Sequence, residues 1–207
     1  MVHNLILEVV VLFLLPVLLV YLRIIPLKYI FPTILSVFIL VLMITLSKNI
    51  NPLNLGIRLD NLAISAIPYV LLTIFGSLLI YFLAKKLKKE PFKNCWKFYH
   101  FQFGFIFLAL FQEFLYRSFL MHELKLMFSS FFLIVIIDAF LFSIMHVIFV
   151  DKKMAVSITF LAGLVFASVY YFYPNLLLIT LSHAILNFVA SYYNFFKIPR
   201  KDYLRRR

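Results

Sequence analysis

The stretch FSSFFLIVIIDAFLFSIMHVIFV, residues 128–150, decides the fold class. As a helix rising about 1.5 Å per residue it is long enough to cross a hydrocarbon layer of about 30 Å. Its only ionisable groups are Asp138 and His146, so it is apolar on every face. Such a helix belongs in a bilayer or a deep core, not on a solvated surface. Further apolar runs lie at about 5–22, 30–47, 62–84, 98–120, 154–173 and 175–196. Only helices and closed barrels satisfy their backbone in lipid. The alternating ten-residue strands of a barrel do not occur here, so helices are expected. The expected fold class is all-α: a polytopic transmembrane bundle of about seven helices, correct to about one, at roughly 20 apolar residues per crossing.

Composition agrees. The chain has 207 residues, of which 65% are hydrophobic and 14% charged, with a mean hydropathy of +1.04. Soluble domains carry about 45–50% apolar and about 25% charged residues, and disordered chains fewer apolar ones still. The chain reads as one membrane domain. Residues 1–97 supply about three helices and a basic loop, 98–196 a four-helix core, and 197–207 a basic tail. The run Leu5–Leu22 has no basic segment before it and no small-residue cleavage site, so it reads as a helix and not a signal peptide. Pro16, Pro32 and Pro68 lie within or near the starts of runs, where proline kinks or begins a helix. Cys95 is the single cysteine and permits no internal disulfide.

The net charge of +12 tests the segmentation. The first connection holds Arg23 and Lys28, and the third holds Lys85, Lys86, Lys88, Lys89, Lys93 and Lys97. The fifth holds Lys152 and Lys153, and the tail Lys197, Arg200, Lys201, Arg205, Arg206 and Arg207. Against these 16 stand only Lys48, Arg58, Arg117 and Lys125 on the alternate side. Lysine and arginine collect on cytoplasmic loops, which predicts an outside N-terminus and a cytoplasmic C-terminus in a multi-pass plasma-membrane protein. Orientation and contact with anionic headgroups account for the basic residues, and no nucleic-acid partner is expected.

Ionisable groups inside a bilayer are costly and point to function. Here they concentrate in residues 98–196: Glu113, Arg117, Asp138, His146 and His183, with Gln112 and Asn187 as neutral companions. The first three helices offer little beyond Glu8 near an end. Glu113 and Arg117 are four apart, share a helix face and can pair. His146 follows Phe142 by four, with Asp138 two turns earlier and too distant to touch it within a straight helix. His183 and Asn187, also four apart, can both donate to one small oxygen, as an oxyanion site requires. Each feature alone also reads as a packing contact: a buried ion pair, or interhelical hydrogen bonds worth about 0.6 kcal/mol. Together they are the parts that activate a water and stabilise a tetrahedral intermediate.

On these residues the chain resembles the CPBP family of intramembrane proteases, which includes CAAX prenyl endopeptidases and bacteriocin-processing or immunity-type relatives. The family pattern is Glu-Glu-x-x-x-Arg, Phe-x-x-x-His and His-x-x-x-Asn on successive helices. Here it reads Gln112-Glu113-x-x-x-Arg117, Phe142-x-x-x-His146 and His183-x-x-x-Asn187, within about 98–196. The resemblance implies an endopeptidase acting on a membrane-bound or lipidated substrate. Glu113 with His146 would activate water, His183 and Asn187 would hold the oxyanion, and Arg117 would orient the glutamate. Gln112 departs from the pattern where the family's usual base stands. Glu113 then serves as base, or the chain is an inactive relative that binds or confers immunity, or Gln112 is an engineered inactivating replacement. Adjacent residues point about 100° apart on a helix, so Glu113 does not inherit the geometry of position 112.

No cofactor is expected. Zinc is the alternative, with Glu113, His146 and His183 as an open three-ligand site. No His-Glu-x-x-His occurs, since His122-Glu123 continues as Leu-Lys-Leu. A transporter reading lacks support, because no internal repeat or pair of broken helices is visible. Straight helices would leave His146 and His183 about 10 Å apart in depth.

Overall fold

The computed structural model describes residues 6–92 and 104–195. Among them the chain forms seven helices. They are α1 (Ile6–Tyr21), α2 (Leu27–Ser47), α3 (Leu62–Lys86), α4 (Phe105 to Met127), α5 (Phe131–Ile148), α6 (Lys152–Phe172) and α7 (Leu176–Tyr192). The all-α transmembrane expectation holds. Of the seven, α2, α3, α5 and α6 are each long and apolar enough to cross a membrane. Large apolar side chains such as Ile64, Ile67 and Phe75 on α3 remain exposed, the surface a bilayer covers. Lys93, Lys97, Cys95 and the tail beyond residue 195 lie outside the described residues.

Local chemistry explains the ends and irregularities. Ser130, Asp151 and Asn175 accept from backbone N–H groups three residues on and so begin α5, α6 and α7. Pro16 removes a helical donor, and the turn before it, Val9–Leu14, widens to π geometry. A second π segment, Phe114–Leu120, lies inside α4. One boundary differs from expectation: α4 continues to Met127 instead of ending near residue 120. Its polar last turn has tertiary partners. Glu123 binds Lys48 at 3.0 Å, and the Lys125 ammonium lies 4.2 Å from the Tyr171 ring centre.

The connections sort into two ends. At one end the second, fourth and sixth meet. Ser118 and Tyr170 both donate to the Leu55 carbonyl at 2.7 Å, and the Asn61 side chain donates to the Pro174 carbonyl at 3.0 Å. At the other, Lys152 approaches the Tyr21 hydroxyl at 3.5 Å, and Lys89 reaches the Asn194 carbonyl at 3.3 Å. The basic first, third and fifth connections therefore share one end, the alternation their charge predicts. The core draws on all seven helices, including Tyr69 of α3, with Val41, Phe119, Leu120 and Ile179 sealed in it. Gly163 of α6 lets α5 approach closely: a Cβ there would lie 3.2 Å from both Cα and Cβ of Ala139. This contact sets α5, and hence Asp138 and His146, against the rest of the bundle.

Candidate active site

The ionisable residues of the interior occupy two layers. In the deeper one, Glu113 ends the α-helical part of α4 and Arg117 follows within its π segment on the same face. Asp138 arrives from α5 and His183 from α7. The Arg117 Nη1 donates to Asp138 Oδ1, and its Nε lies 3.5 Å from Glu113 Oε2. The guanidinium also covers the Phe142 ring at 4.7 Å. His183 Nδ1 meets Glu113 Oε1 at 2.5 Å; the carboxylate accepts, so the imidazole donates. Phe142 and Phe166 hold the His183 ring edge-on at 5.6 and 5.5 Å. Glu113, Arg117 and Asp138 are 0% exposed and His183 is 5% exposed. Charges so buried persist only when paired, and these four groups pair across three helices.

The shallower layer faces a cavity of about 1050 Å³. Its walls are apolar, from α1 (Leu12, Phe13, Val20) and α2 (Ile34, Val37) among others. Its polar residues include Gln112, Tyr116, His146 and Asn187, and its rim at the basic end includes Lys28 and Asn194. Gln112 and Glu113 fall in different layers because successive residues rotate about 100° around the helix. Gln112 Nε2 and the Tyr116 hydroxyl approach the Met145 sulfur at 3.8 and 3.6 Å. His146 sits in the 3-10 turn Met145–Ile148 that ends α5. Its Nδ1 donates to the Phe142 carbonyl at 3.1 Å, which assigns the lone pair to Nε2. Phe149 stacks on the ring at 5.7 Å.

Of the residues singled out from the sequence, Gln112, His146 and Asn187 line the cavity, while Glu113, Arg117 and His183 lie behind it. Glu113 and Arg117 face each other as their spacing predicts, whereas His183 and Asn187 do not converge: Asn187 lines the cavity and the His183 Nδ1 turns to Glu113 behind it. Arg117, however, divides itself between Glu113 and Asp138. His146 and His183 both contact the ring of one residue, Phe142. The Phe142 ring centre lies 5.1 Å from that of His146 and 5.6 Å from that of His183. The zinc set Glu113, His146 and His183 does not fit: among the described residues no three His, Cys, Asp or Glu side chains group as metal ligands. Sequence reasoning missed Tyr116 and Met145, and it noted Asp138 without its partner. An aspartate in mid-span was the available signal, since such a group needs a cation.

Residues 94–189 match the family described as type II CAAX prenyl endopeptidase Rce1-like. No curated protein and no solved structure matches the chain.

Proposed function

Residues 94–189 match the CPBP/CAAX protease family, and from that premise we propose that the chain hydrolyses a peptide bond of a membrane-anchored, lipid-bearing polypeptide. The observation that carries this reading is the cavity, in which an apolar chamber of about 1050 Å³ and the polar groups Gln112, His146 and Asn187 share one space. The chamber suits a lipid chain, and the polar groups suit the peptide bond beside it. The charge alternation supports a cytoplasmic position for the basic end, on the plasma membrane, so that substrate enters from that side.

In this mechanism His146 Nε2 takes a proton from water as the water oxygen bonds to the scissile carbonyl carbon. The Asn187 side-chain N–H groups meet the oxyanion, and Gln112 donates to and accepts from the water, positioning it. His146 then returns its proton to the leaving nitrogen as the C–N bond breaks, leaving a carboxylic acid and an amine. Glu113 holds His183, whose ring lies one helical turn from Asn187 and supports the oxyanion side of the site. Arg117 holds Glu113. No step requires a metal ion.

A specific observation favours a second reading, binding without cleavage. Among the described residues no carboxylate lines the cavity, and the position where the family pattern has glutamate carries Gln112. The test is cleavage of a prenylated reporter peptide by the purified protein in nanodiscs, alongside Gln112→Glu and His146→Ala. Cleavage by the unaltered protein, lost in His146→Ala, is the expected result. An inert protein that binds the reporter and gains hydrolysis only as Gln112→Glu establishes the second reading instead. Unchanged cleavage in His146→Ala refutes the mechanism.

A further inference from the structure

Asp138 lies outside the cavity and outside the sequence pattern of the site, yet it is wholly buried and accepts directly from Arg117. We propose that Asp138 is a positioning residue: by fixing the plane of the Arg117 guanidinium it determines how Glu113 is shared between Arg117 and His183. The contacts run across three helices, from Asp138 on α5 to Arg117 and Glu113 on α4 and on to His183 on α7.

The geometry of arginine makes this a competition. A guanidinium is a rigid fork that binds a carboxylate best with two parallel N–H groups. Here it does not do so with Glu113. Asp138 takes Nη1, the Phe142 face supports the plane, and Glu113 is left with the Nε edge at 3.5 Å. That loose hold leaves Glu113 Oε1 to His183 at 2.5 Å. A neutral residue at position 138 frees the fork to turn onto Glu113, and the glutamate then moves from imidazole toward guanidinium. Helix placement does not depend on Asp138, because α5 is seated independently where Ala139 meets Gly163. The catalytic consequence rests on the role given above to His183; the contact chain does not.

The experiment compares the unaltered protein with Asp138→Asn and Asp138→Glu, ¹⁵N-labelled at histidine and reconstituted in nanodiscs. The His183 signal is identified by its loss in His183→Gln. Asp138→Asn is expected to displace the His183 Nδ1 resonance and leave that of His146 in place, and Asp138→Glu to return it toward the original position. An undisplaced His183 signal in a folded Asp138→Asn protein overturns the proposal. Should that variant not fold, Asp138→Ala, which buries no polar group in its place, is read in the same way. Loss of fold in both assigns Asp138 a purely structural role and also overturns it. On the prenylated reporter, Asp138→Asn is expected to lower kcat about tenfold with KM changed less than about twofold, Asp138→Glu restoring kcat. A protein that cleaves nothing defeats the proposed function, while the resonance measurement still decides the role of Asp138.

Discussion

Gly56 closes the end of the bundle opposite the cavity mouth, and replacing it with alanine should be among the most damaging single-methyl changes in the chain. It ends the 3-10 turn Pro52–Leu55 with φ 69° and ψ 13°, the left-handed region. A residue with a Cβ loses about 1–2 kcal/mol there relative to glycine. Space is also lacking. A Cβ at Gly56 would lie 2.3 Å from the Tyr170 hydroxyl oxygen and 2.9 Å from its Cζ. Tyr170 is 2% exposed, so its ring has little room to retreat. Retreat would break its hydrogen bond to the Leu55 carbonyl at 2.7 Å and its contact with Ser118 at 3.2 Å. Each such bond contributes about 1 kcal/mol net. Gly56→Ala should therefore cost about 3 kcal/mol, near the upper end of ordinary point substitutions.

The mechanism is testable because its two parts separate. In a Tyr170→Phe background the hydroxyl that collides is absent and the hydrogen bonds are already lost. Gly56→Ala should then cost only the backbone part and the residual Cζ contact, about 2 kcal/mol. Reversible unfolding in bicelles, run on the four proteins of the cycle, measures the coupling directly. A coupling of about 1 kcal/mol is expected. Equal costs in the two backgrounds, within about 0.5 kcal/mol, would refute the argument that Tyr170 is what the new methyl meets.

Two further outcomes follow from the same structure. Val37→Trp, placing a large ring in the cavity wall, should raise KM about tenfold for a lipidated reporter and leave an unlipidated peptide unaffected in steady-state kinetics. Lys48 joins Glu8 at 2.8 Å and Glu123 at 3.0 Å. Partial burial lowers its pKa, but the two glutamates outweigh this and the net shift is upward. A raised folded-state pKa means that the stabilisation is fully present below the unfolded value and fades as pH rises through the folded one. Lys48→Met should therefore destabilise the protein by a nearly constant amount, under about 1 kcal/mol, from about pH 6 to about pH 9. The gap should close only at higher pH, as read by thermal unfolding across a pH series.

The helices were legible because each apolar run must hide its backbone from lipid, a demand that needs no knowledge of neighbours. What needed neighbours was not legible. The last turn of α4 falls outside the apolar run because of His122, Glu123 and Lys125, polar residues whose partners, Lys48 and Tyr171, come from elsewhere in the chain. Asp138 shows the same limit at the site. It stands on the helix of His146 in sequence, yet its partner is Arg117 of α4, a pairing that the packing of α4 against α5 creates. The four-residue spacings were readable because they lie within one helix, whereas the assignment of residues to cavity or interior depends on how that helix is turned.

That rotation gives Gln112 its weight. A glutamate retained at position 113 looks like a near-equivalent of one at 112, but the two positions serve different surroundings. Position 112 faces a cavity open toward the basic end of the bundle, beside Met145 and in the same lining as His146. Position 113 is sealed and already committed to Arg117 and His183. For Glu113 to reach cavity water, the helix would have to turn by about 100°. That turn would carry Arg117 away from Asp138 and leave the buried Asp138 carboxylate without its cation, a disruption worth several kcal/mol. The buried network therefore separates the two positions. Under the mechanism proposed above the base belongs to the cavity lining, where among the described residues His146 is the imidazole, and a carboxylate enters that lining through substitution at Gln112.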